Sequence, residues 1–156
     1  MDGMGGGFDS SIEIPKEGMM SMKKSVLALS LTVTALTGCS NSEPMTGDKV
    51  IAALKAANIS VSNVQKPARD PSSPMPNSYS DRVSFALPSV APKGGQVFVC
   101  DKKEYCDAIF TYFDALKALA GPYLFRSKDG LVVAQLNSGL QPGDVEPVRK
   151  VIESLK

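Results

Sequence analysis

Histidine and tryptophan are absent from the 156 residues. Without histidine, a Ser-His-Asp triad, a Cys-His dyad and every zinc site built on imidazole are excluded. Without tryptophan the chain lacks the commonest anchor of partner hot spots, and aromatic residues of any kind make up only 6% of it. An excess of one charge is missing too. A formal net charge of +1 argues against the dense basic patch of a nucleic-acid footprint. No apolar run reaches the roughly 18 residues of a membrane-spanning helix. What remains, 43% hydrophobic and 21% charged residues, fits one ordinary globular domain with something added at an end.

The added part lies at the amino terminus. Five of the seven methionines fall in the first 22 residues, as do Gly3, Gly5, Gly6, Gly7 and Gly18. With Phe8, Ile12 and Ile14 as the only other large apolar residues, this segment buries too little surface to offset the entropy of ordering it. Residues 1–21 are expected to be an unstructured extension or a mis-assigned start. Lys16-Glu17-Gly18 can be encoded by a purine-rich stretch like a ribosome-binding site, just ahead of Met19, Met20 and Met22.

From Met22 the pattern sharpens. Lys23-Lys24 is followed by a twelve-residue apolar core, residues 25–36, and then by Thr37-Gly38-Cys39. Twelve helical residues cover about 18 Å, well short of the roughly 30 Å hydrocarbon core, so residues 22–38 read as a secretion signal and not a span. Leu36-Thr37-Gly38-Cys39 resembles the lipobox of bacterial lipoprotein precursors. That resemblance covers residues 22–39 and implies a diacylglyceryl group on the Cys39 sulfur, cleavage after the small Gly38, and anchorage by two or three acyl chains. A single chain would hold only marginally, at about 0.8 kcal/mol per buried CH₂. Ser40, where an Asp would retain an enteric-type lipoprotein in the inner membrane, implies the periplasmic face of the outer membrane.

The segment from Cys39 onward carries 14 Lys or Arg against 12 Asp or Glu and is large enough for one small domain. Residues 39–47 read as a lipidated tether with a reach of about 25 Å, and residues 48–156 as a single domain of a family the residues do not identify. Once Cys39 is assigned to lipid, Cys100 and Cys106 remain. An exported pair in an oxidising compartment reads as a disulfide. Its spacing fits neither a Cys-x2-Cys redox site nor a zinc site without further ligands.

Periodicity predicts a helix over 48–57, started by Thr46 or Asp48, and a strand on Ile59, Val61 and Val64. Four prolines make 66–80 a loop. Strands follow on Val83, Phe85 and Leu87 and, after a Pro92–Gly95 turn, on residues 96–100. One long helix is expected over 102–120, with Leu119 on its apolar side and Gly121-Pro122 as its stop. A hairpin turns at Ser127–Gly130, and Asp144 caps a last helix bearing Val148, Val151, Ile152 and Leu155. The expected class is α+β, a two-layer sandwich of about three helices on one face of a four- to five-stranded sheet. Whether the strands at 96–100 and 122–127 run parallel stays open.

Each candidate site has a plainer reading. Asp101, Glu104 and Asp107 could form a calcium site or an acid/base pair, but acidic residues suit a helix start. Ser127-Lys128 resembles a nucleophile pair only on paper, because hairpin turns favour small polar residues. Tyr105, Tyr112 and Tyr123 with Phe110, Phe113 and Phe125 could line a ligand groove, or simply be core. The loop with Arg69, Asp70, Met75 and Tyr79 is long enough to be functional. Asn58-Ile59-Ser60 matches a glycosylation acceptor by chance. Tyr79, Tyr105 and Tyr112 are the binding residues singled out, with no catalytic residue, metal or cofactor. The expected function is a non-catalytic binding or interaction module of the cell envelope. It would meet the membrane through its lipid and take an envelope protein, a peptide or a small ligand, but no nucleic acid. An envelope enzyme of unrecognised type and a purely structural envelope protein are the alternatives.

Overall fold

The computed structural model describes residues 43–156. The extension, the signal, the lipobox and Cys39 lie outside the described residues. Helix α1, Gly47–Ala56, starts where Thr46 accepts a hydrogen bond from the Lys49 amide at 3.3 Å, so Thr46 and not Asp48 is the cap. It ends in a left-handed Asn58, φ 59°. The Asn58 and Ile59 amides return to the carbonyls of Lys55 and Leu54, a Schellman closure with Asn in the usual glycine place. This closure takes Ile59 out of the expected strand. Strand β1 is Ser62–Gln65, exposed throughout, and Ile59 and Val61 reach the core from the segment before it.

Strand β2 is Asp81–Ala86 and β3 is Gly94–Val99. Pro88–Val90 forms a short 3-10 turn between them. The expected Pro92–Gly95 turn is corrected here. Gly94 and Gly95 pair with Ala86 and Phe85 inside the ladder, and the pairing requires glycine at 94, where a side chain would run into the Phe85 carbonyl and the Leu87 amide. The long helix is corrected as well. Helix α2, Lys103–Ala115, stops at Leu116, whose amide bonds to the Phe113 carbonyl in a 3-10 step, and a short α3, Lys117–Ala120, follows. Leu119 is consequently 84% exposed rather than part of the apolar side. Strand β4, Leu124–Arg126, and β5, Val132–Leu136, form the expected hairpin. Helix α4 is Pro142–Ser154 with Gln141 at its cap position. Asp144 lies inside the first turn instead of capping it, since Pro142 already sets the helical φ at the start.

The strand order is β1-β2-β3-β5-β4 and every neighbouring pair is antiparallel. Strand β4 therefore runs in the direction of β3, with β5 between them. Among the described residues this is the expected α+β class, four helices with a five-stranded sheet. The placement of the helices on one face needs correction. Val83, Phe85, Val97, Val99, Val132, Ala134 and Leu136 meet α1 and α4 on one face. Phe98 and Val133 meet Ile109 and Phe113 of α2, with Met75 and Tyr79 from the 66–80 loop, on the other. Consecutive apolar residues in β3 and β5 are what a strand covered on both faces requires.

Candidate functional site

The tyrosines selected from sequence do not form one groove. Tyr79 is 3% exposed and meets Phe98 edge-on at 5.4 Å. The Arg69 guanidinium stands 4.9 Å from its ring centre and donates to the Tyr79 carbonyl. The buried Tyr79 hydroxyl has no hydrogen-bond partner among the described residues. Tyr112 is half-buried at the margin of the same cluster, edge-on to Phe113 at 5.3 Å. Tyr105 stays exposed on α2, with the Lys102 ammonium 5.8 Å from its ring centre. The loop itself is tied by local bonds. Asp70 accepts from the Ser72 hydroxyl and amide at 2.6 and 2.9 Å, and the Ser72 hydroxyl bond holds the Asp70 carboxyl below its usual range.

The charged candidates are engaged in structure. Asp107 bonds Lys103 at 2.9 Å and Arg126 at 2.6 Å. The Lys103 hydrogen bond, followed by the charge of Arg126, holds its carboxyl below the usual value. Asp101 and Glu104 are exposed, and among the described residues no three His, Cys, Asp or Glu side chains converge to hold a metal ion. Ser127 is buried. Its hydroxyl donates to Asp129 at 2.6 Å and accepts from the Val132 amide at 2.9 Å, while Lys128 is exposed. That hydroxyl serves the turn. Cys100 and Cys106 have their sulfurs at bonding distance and their Cα atoms 5.8 Å apart, tying the exit of β3 to the first turns of α2. Among the described residues no helix is long and apolar enough to cross a membrane.

The concave feature that sequence reading missed lies on the opposite face of the sheet. A cleft of about 340 Å³ opens between the end of α1, the turn after β2 and the first turns of α4. Ile59, Leu87 and Pro147 give it apolar walls, Ser60 and Ser89 add hydroxyls, and Asp144 is the one ionisable side chain lining it. An adjoining hollow of about 440 Å³ shares Asn58, Ile59 and Ser60 and adds Lys55. The Schellman closure of α1 positions Asn58–Ser60, and the uninterrupted start of α4 positions Gly143 and Asp144. Gly143 stands out sterically. A Cβ there would meet nothing within 4 Å and its φ is not in the left-handed region, although glycine in a helix costs about 0.5–1 kcal/mol relative to alanine. Most other glycines among the described residues have a steric reason, such as Gly47, where a Cβ would strike Val83. In sequence the cleft leaves only a helix-stop signal at Asn58 and a helix-start signal at Pro142-Gly143.

No protein-family model matches the chain, and no curated protein or solved structure matches it.

Proposed function

We propose that the chain is a lipid-anchored lipoprotein of the bacterial cell envelope whose domain acts as a non-catalytic binding module. The observation that carries this reading is the sequence of a positive start, a twelve-residue apolar core and Leu36-Thr37-Gly38-Cys39. Only residues 40–46 separate Cys39 from α1, which keeps the domain within about 25 Å of its anchor. A cysteine pair at bonding distance suits an oxidising compartment. Ser40 directs the anchored protein to the periplasmic face of the outer membrane.

Binding rather than turnover is supported by how the reactive side chains are engaged. Ser127 is bonded into its turn and Asp107 into two ion pairs, whereas the cleft at the far end of α1 offers a shaped surface with apolar walls and a single ionisable side chain, Asp144. Ten residues of helix set that cleft about 15 Å from the point where the tether joins. The test is metabolic labelling with a fatty-acid analogue and fractionation of the cells. The wild type should carry label and sediment with membranes, and Cys39→Ala should lose both properties. An unlabelled, soluble wild type overturns the anchor. Turnover by the purified protein that a single substitution abolishes overturns the non-catalytic part.

A further inference from the structure

We propose that the domain rests on its membrane by the end at which the chain enters it, with Tyr105 and Lys102 among the phospholipid headgroups. This placement rests on the lipoprotein reading and deepens it. The entry is held to the domain at several points. Met45 packs against the core under α1 and α4, and Thr46 caps α1. Lys49 donates to the carbonyls of Glu43 and Pro44 at 3.2 and 2.9 Å and pairs with the Glu43 carboxylate at 3.0 Å. Only residues 40–42 separate Cys39 from this held stretch, a span of at most about 14 Å. An acylated Cys39 therefore keeps the start of α1 close to the bilayer.

The sheet register shows what else lies at that end. The Gly47 amide donates to Asp81 at the head of β2. Asp81 pairs with Val99 at the end of β3, and Val99 with Val132 at the head of β5. From there Cys100–Lys102 lead into α2, and the Lys103 side chain lies against Gly130 of the β4–β5 turn. Lys102, Tyr105 and Lys128 are thus exposed at the end where the chain enters. Leu119 lies at the opposite end. Its helix α3 leads into Gly121, which lies against Ser138, and the neighbouring Asn137 amide bonds to the Gly94 carbonyl at the head of β3.

Tyr105 belongs to neither buried cluster, and the Lys102 ammonium stands 5.8 Å from its ring centre. An amphipathic ring beside an ammonium suits the headgroup level of a bilayer. Asp101 and Glu104 are exposed there too. Charges of both signs match a zwitterionic layer of phosphates and amines rather than an excess of anionic lipid.

Because the chain has no tryptophan, a single introduced one reports its own position. The protein extracted from membranes is returned to vesicles of phosphatidylethanolamine and phosphatidylcholine, part of the latter bearing a headgroup nitroxide. Lys128→Trp should lose most of its emission relative to nitroxide-free vesicles. Leu119→Trp should keep nearly all of it, since α1 alone sets the two ends about 15 Å apart. Adding Tyr105→Glu to the Lys128→Trp chain should restore part of the lost emission. All three positions are exposed, and an unchanged melting temperature checks that each variant is folded. Equal quenching at the two ends, or stronger quenching of Leu119→Trp, overturns the placement. Quenching indifferent to Tyr105→Glu overturns the contact assigned to Tyr105. Sedimentation with the vesicles is read separately. A chain that sediments without the contrast keeps its anchor and loses this surface, and one that stays in solution loses both.

Discussion

On the face under α1 and α4, fifteen buried residues form one almost wholly aliphatic cluster. The face under α2 has eight, among them Tyr79, Phe98 and Phe113, and includes both members of the cysteine pair. Beside that cluster the face carries polar side chains. Arg82 donates to the Gln96 side-chain oxygen at 2.7 Å, Gln96 donates to Gln135 at 3.0 Å, and Gln135 donates to the Ala120 carbonyl at 2.8 Å. The two faces of one sheet are held in different ways. The larger face is stabilised by apolar burial in proportion to its area. The smaller one relies on stacked aromatics, a cross-link and a relay of side-chain hydrogen bonds that registers α3 against β5.

The sharpest way to test that contrast is to empty each cluster in turn. Phe98→Ala removes the fully buried ring on which Tyr79 and Phe113 both pack and should cost about 3–5 kcal/mol in urea unfolding. Leu54→Ala on the other face should cost about 2–5 kcal/mol. A loss under about 1 kcal/mol for Phe98→Ala would mean that the aromatic face contributes little to the fold. Next in size is the cross-link. Replacing both Cys100 and Cys106 by serine should cost about 2 kcal/mol in loop-closure entropy. Hydrogen exchange should accelerate in α2 before it does in α1 or α4, and uniform acceleration would abolish the distinction between the faces.

A smaller effect is expected where α1 meets the sheet. Asp81 accepts from the Gly47 amide at 2.9 Å and pairs with Lys66 at 3.2 Å. Burial pushes its carboxyl up, but the Gly47 amide and Lys66 together outweigh burial and hold it below its usual value. A depressed carboxyl contributes its full stability above the unfolded value of about 4 and loses it as pH falls through the lower folded value. Asp81→Ala should cost about 1 kcal/mol at neutral pH and flatten the acid limb of the stability curve. An unchanged acid limb would remove Asp81 from the account of α1. Smallest of all, Tyr105→Ala should shift stability by less than about 0.5 kcal/mol, because Tyr105 belongs to neither cluster.

Much of this architecture is legible in the residues themselves. The alternation of Val83, Phe85 and Leu87, the Asp-Gly turn at 129–130 and the 3.6-residue spacing of Val148 and Ile152 each point to a local structure that packing then reinforces. The errors share a cause. Leu116 and Leu119 continue the apolar spacing of α2, yet the helix is interrupted where the chain turns back towards β4. Ile59 alternates with Val61 like a strand, yet the helix cap claims it. The apolar runs in β3 and β5 carry the signal of two covered faces, which a reading by alternation alone passes over. The cleft was not legible because no residue in it is chemically unusual. Only Gly143, set against its surroundings in space, marks the place.

The most direct measurement of the central reading is the intact mass of the protein extracted from membranes without reductant. The account predicts a chain that begins at Cys39, carries diacylglyceryl and acyl mass at that end, and is lighter by the hydrogens of the Cys100 and Cys106 thiols. A mass that includes residues 1–38 without acyl groups, with both thiols free, would contradict it.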